Sequence, residues 1–218
     1  DGNTNISGLS LAYSSSSILT SDVVTVIGSG SYSSANVGTG VSVSLDVALN
    51  GADGGNYKLS NTSYSANIGT ITQLGSVTYV GSTGGNWSNP SNWAGGAIPT
   101  FGNVATVNIP SGLSVHFDYD SLSTAVPTSA IANNGTITFN GTANFTLSNV
   151  ISGTGTLSQL GQGVLTVAGN NSHSGGILVA SGSTIILGHA NALGTGSLTS
   201  QGGVLQVASG VTLPQLTV

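Results

Sequence analysis

Of 218 residues only 3% are charged: one lysine (Lys58), no arginine, no glutamate and six aspartates, for a net charge of −5. A single cation excludes a nucleic-acid binder, which needs Lys and Arg to displace counterions, and it disfavours docking on anionic lipid. The chain has no cysteine, hence no disulfide or thiolate chemistry, and no apolar run of about 18 residues that would insert in a membrane as a helix, so its solubility rests on Ser, Thr and Asn.

Residues 1–72 read as a compact β module. Val41, Val43, Leu45, Val47 and Leu49 alternate with Ser42, Ser44, Asp46 and Ala48, which is the period-2 pattern of a half-buried strand. Asp22–Ile27 and Tyr64–Ile71 read as two more strands, and Asn50-Gly51 and Asp53-Gly54-Gly55-Asn56 as turns. A small β-sandwich or β-grasp-like module is expected.

Residues 73–125 are expected to hold connecting strands and the first coil of a solenoid, at Val77–Val80, Val104–Ile109 and Leu113–Phe117. The loop from Gly84 to Pro99 projects between them and holds both tryptophans, Trp87 and Trp93. Two readings suit the loop: a cap that shields the open edge of the first coil, or a platform on which Trp87, Trp93 and Tyr79 stack against a carbohydrate.

Residues 126–218 are dominated by a repeat of about twenty residues. One series runs Ile137, Leu157, Leu178, Leu198 and Leu216, with gaps of 20, 21, 20 and 18; a second runs Leu147, Leu165, Ile186 and Leu205. Strands this short cannot bury an apolar face alone, but stacked coils place each aliphatic side chain on the next. The expected fold is all-β, a small module followed by a right-handed parallel β-helix. The terminal Leu216-Thr217-Val218 reads as the start of another strand, so a segment of a longer protein is expected.

Several of these stretches match known patterns. Asp1-Gly2-Asn3-Thr4, Ile6-Ser7-Gly8-Leu9, Asp22-Val23-Val24-Thr25-Val26, Tyr32 with Ala35-Asn36-Val37-Gly38-Thr39-Gly40, and Gly51-Ala52-Asp53-Gly54-Gly55-Asn56-Tyr57-Lys58-Leu59-Ser60 resemble the YDG/MBG-type module of large bacterial adhesins. The tryptophan loop resembles a segment that leads into the passenger helices of autotransporters and filamentous-haemagglutinin-like proteins. Gly153-Thr154-Gly155-Thr156-Leu157, Gly161-Gln162-Gly163-Val164-Leu165, Gly169-Asn170-Asn171-Ser172-His173-Ser174-Gly175-Gly176 and Gly182 resemble the autotransporter-associated β-strand repeat, which restarts at Gly194. Gln159 stands where lysine is common and His173 where an aromatic is common, and both are expected to face solvent. The resemblance implies export through an outer-membrane pore, folding outside the cell, and a role in surface or biofilm attachment.

Chemistry finds few residues to work with. From Ser121 to Val218 there is no Asp, Glu, Lys or Arg, so the carboxylate pairs of solenoid enzymes have no counterpart there. His173 and His189 are sixteen residues apart, off the coil period. His116, Asp118 and Asp120 alternate with Phe117 and Tyr119, which puts them on one strand face as a candidate cation site or as a solvated edge. No serine sits in a nucleophile elbow. No enzymatic activity and no cofactor are expected. The expected role is a stiff adhesive stalk outside the cell that contacts surface glycans or proteins; the alternatives are self-assembly through the solenoid ends into a filament or surface layer, and a carbohydrate-binding module.

Overall fold

In the computed structural model, which describes residues 4–6, 18–34, 36–96, 98–99, 102–118 and 130–214, nearly all regular structure is β. Asp1, Gly2, Asn3, Ser7, Gly8, Leu9, Ala35, Tyr119, Asp120 and Leu216, all used in the sequence reading, lie outside the described residues. The chain divides into two compact units, residues 2–72 and 73–218. Among the described residues no helix is long and apolar enough to cross a membrane.

In the first unit, β1 (Asn5–Ile6), β2 (Thr25–Tyr32), β3 (Gly38–Asn50) and β4 (Ser63–Ile71) form one antiparallel sheet in sequence order. The alternating aliphatic residues of β3 are half-buried along one face, as their period requires. The second strand starts later than Asp22. Val23 is instead pinned by a turn, its N–H donating to the Asp53 carboxylate at 2.9 Å and its carbonyl accepting from the Asp53 N–H at 3.1 Å. Tyr57 closes the same corner, donating its hydroxyl to Asp22 at 2.7 Å.

The second unit is a β-solenoid of about five turns. Its strands are β5 (Leu74–Thr78), β6 (Gly85–Asn86), β7 (Val104–Ile109), β8 (Ser114–His116), β9 (Ala130–Asn133), β10 (Thr136–Phe139), β11 (Phe145–Leu147), β12 (Ile151–Ser152) and β13 (Thr156–Gln159). They continue with β14 (Val164–Val167), β15 (Ile177–Ala180), β16 (Thr184–Leu187), β17 (Leu198–Gln201) and β18 (Val204–Val207). Three parallel sheets line it, with orders β5-β7-β9-β12, β6-β8-β10-β13-β15-β17 and β11-β14-β16-β18. Since β5 pairs with β7 and β6 with β8, the segment expected to supply one first coil supplies two.

Each inward position forms a column along the axis. Val115, Ile137, Leu157, Ile177 and Leu198 are one column; Phe145, Leu165, Ile185 and Leu205 are another; Leu147, Val167, Leu187 and Val207 are a third. Among the described residues this stack holds the entire buried apolar cluster. Two members of the expected series are off by one. Ile177 and Ile185 point inward, while Leu178 and Ile186 sit on the outer face, half-buried. A one-residue slip in a strand moves the side chain to the opposite face, so gaps of 21 rather than 20 were enough to mislead.

Two polar residues expected at the surface are inside. Gln159 continues the column of Phe117 and Phe139 and is followed by Val179, and it is fully buried. Its amide nitrogen donates to the carbonyls of Gly161 (3.1 Å) and Gly163 (2.6 Å), binding the turn beneath it. His173 is likewise fully buried. Where the first sheet ends after β12, Asn171 replaces the ladder: its Oδ1 accepts from the Ile151 N–H and its Nδ2 donates to the Ala192 carbonyl, each at 2.9 Å.

Candidate functional site

The tryptophan loop folds inward. Thr78 and Tyr79 are held against it by backbone bonds from Ala94 to Thr78 and from Val80 to Asn92, and Tyr79 bridges Trp93. Pro90 opens a single 3-10 turn, Pro90–Asn92, where its missing N–H costs nothing, and Asn89 caps that turn by accepting from the Ser91 N–H at 3.1 Å. Asn92 turns back to donate to the Asn86 carbonyl at 2.8 Å. The loop therefore closes on itself before it meets the coil.

The aromatic rings this closure buries are the three named as a stacking platform. Trp87, Trp93 and Tyr79 are 0%, 1% and 1% exposed, so none presents a face to a ligand. Each polar handle is satisfied internally: Trp93 Nε1 donates to the Trp87 carbonyl at 2.7 Å, Trp87 Nε1 to Pro99 at 3.4 Å, and the Tyr79 hydroxyl to Ser82 at 2.7 Å. Burial pushes the Tyr79 phenol above its ordinary pKa. The rings meet mostly edge to face, Tyr79 to Trp93 at 5.3 Å and Trp87 to Trp93 at 4.6 Å, the geometry that aromatic quadrupoles favour. The series continues into the coils through Phe117, 4.9 Å from Trp87, and then Phe139 and Phe145.

Of the candidate cation ligands, His116 and Asp118 do share the outer face of one segment, opposite the buried Val115 and Phe117. Each already has a partner. Asp118 accepts from the Ser88 N–H at 3.0 Å and from the Ser88 hydroxyl, anchoring the tryptophan loop, and His116 Nδ1 lies 3.2 Å from Asn140 Nδ2. Asp120 falls outside the described residues, among which no three His, Cys, Asp or Glu side chains come together as a metal site.

One feature escaped the sequence reading. A shallow open groove of about 370 Å³ crosses three coils beside β8, β10 and β13, lined by the hydroxyls of Thr83, Ser114, Thr136 and Thr156 and by Asn134. Ser114, Thr136 and Thr156 are register partners, so aligning the coils would have revealed the row. Three of these hydroxyls are paired within the protein: Thr83 and Ser114 share a hydrogen bond at 2.9 Å, and Thr156 donates to Gly175 at 3.1 Å.

Residues 1–64 match the YDG domain family. No curated protein and no solved structure was found to match the chain. The molecule is thus an all-β chain in which a segment similar to the YDG domain precedes a β-solenoid, a combination that fits a surface or adhesive type of protein.

Proposed function

We propose that the chain is a structural and adhesive segment of a secreted bacterial surface protein, in which the solenoid is a stiff stalk and catalysis has no part. The observation that carries this reading is that the inward columns of the described coils and the rings of the tryptophan loop pack into one buried cluster. The aromatic residues that would serve a ligand are spent on the first two coils. A segment without a single Asp, Glu, Lys or Arg between 121 and 218 suits a spacer better than an acid/base site. Its contacts would be made outside the cell with glycans or proteins of the attached surface, through polar, nearly uncharged faces.

Display of the chain on a non-adherent bacterium tests this. Attachment to host-cell or abiotic surfaces is expected to rise, and to change less than about twofold between low and high salt, because few charges are there to be screened. Cells that attach no better than the empty strain would overturn the reading.

Self-assembly through the solenoid ends is a second reading, in which a second copy stacks on β18, an outer strand of its sheet among the described residues. Sedimentation over a concentration series separates the two readings: growing species favour assembly, and an unchanging monomer leaves the stalk.

A further inference from the structure

His173 lies in the turn that precedes β15, with its ring fully buried and neither Nδ1 nor Nε2 given a hydrogen-bond partner. Its backbone is held from both sides. The N–H donates to Ile151 of the coil before at 3.2 Å, and the carbonyl accepts from the Thr195 N–H of the coil after at 2.9 Å. Gly194 sits directly against the ring, so close that a Cβ there would approach Nδ1 to 2.9 Å.

No counter-charge is within reach of a protonated ring. The elements around it are β12 and β13 before, β15 in its own coil and residues 189–198 after, and none contains Asp, Glu, Lys or Arg. The other titratable group in these coils is His189, whose Nδ1 accepts from the Asn191 N–H at 3.0 Å in its own turn. A lone buried cation is among the costliest groups a core can hold. Burial accordingly lowers the His173 pKa from its ordinary 6.5.

We propose that His173 is an acid-sensitive latch on the distal coils: neutral, it fills the core, and once protonated it must reach water, which requires the turns at 171–176 and 189–197 to open. The sign follows from linkage. The open state takes up a proton near pH 6.5 and the closed state only at lower pH, so stability is full above 6.5 and falls as acid is added until the closed ring titrates too. The opening constant gains at most about tenfold per pH unit in that window, and so at most about 30-fold by pH 5. Acid would loosen the coils from Asn171 onward and leave the aromatic end intact.

Hydrogen exchange of the full chain, read by mass spectrometry at pH 8 and pH 5 and corrected for intrinsic rates, tests the latch. Peptides within 171–207 are expected to lose protection by up to about 30-fold while those within 131–159 hold theirs, and His173→Phe is expected to remove the difference. Should that variant fail to fold, His173→Gln serves in its place. Equal protection at both pH values, a loss spread evenly over all coils, or a loss that persists in the folded variant would each overturn the proposal.

Discussion

Trp87 and Trp93 each bring an indole N–H into the core, and a loop that buries them must supply carbonyl acceptors at the right places. It does so from Pro99 and from Trp87 itself, which ties the fold of the loop to the packing of its rings. Trp87→Ala removes the ring that joins Tyr79 and Trp93 to Phe117, and is expected to cost about 3–5 kcal/mol in denaturant-unfolding free energy. Glycines test the stacking differently. A Cβ at Gly169 would overlap the Asn149 carbonyl of the coil before, so Gly169→Ala is expected to cost about 3 kcal/mol or more, as backbone must shift. Gly182 has φ +79° with nothing nearby, so Gly182→Ala is expected to cost about 1–2 kcal/mol from its left-handed backbone alone. Equal losses at the two sites would contradict the close approach of coils. Gln159 and His173 mark where reading residues one at a time fails. Hydropathy assigns each to solvent, and only their neighbours in the stack, Phe139 and Val179 for Gln159 and Ile151 and Gly194 for His173, reveal them as core.

Among the elements, the twenty-residue period was legible because glycine and aliphatic residues recur at it, whereas the phase was not. Both Ile185 and Ile186 are apolar, as are Ile177 and Leu178, and a run of aliphatics gives no hint of which one faces in. The ladder decides: Ile185 continues the column of Phe145 and Leu165. Ile185→Asp buries a carboxylate with no partner and is expected to cost about 4 kcal/mol or more, enough to unfold the local coils; Ile186→Asp, on the outer face, is expected to cost no more than about 1 kcal/mol. Circular dichroism melts of the two variants check this, and an inverted order would refute the register. The tryptophan segment was harder to place, because the spacing from Val77 to Val107 is 30 residues and from Val107 to Ile131 is 24, so the first coils depart from the period. Loops inserted between strands are tolerated since the ladder fixes only the strands themselves.

At the scale of the whole molecule, the division into a module and a solenoid followed from a change in pattern, strict alternation before residue 72 and a long repeat after it. The YDG likeness was carried by short motifs spread over residues 1–60, and the family match falls on residues 1–64. What the composition conveyed most strongly was a lack of charge, and in the folded chain its effect is that cohesion comes from columns of apolar side chains and continuous backbone ladders. In such a stack each coil contacts only its neighbours, so tension should remove coils one after another. Single-molecule pulling on the chain by its two ends tests the mechanical role most directly. Discrete rupture events, each releasing about 70 Å for a coil of about twenty residues, are the expected result. Smooth extension at low force, with no stepwise release, would contradict the stalk.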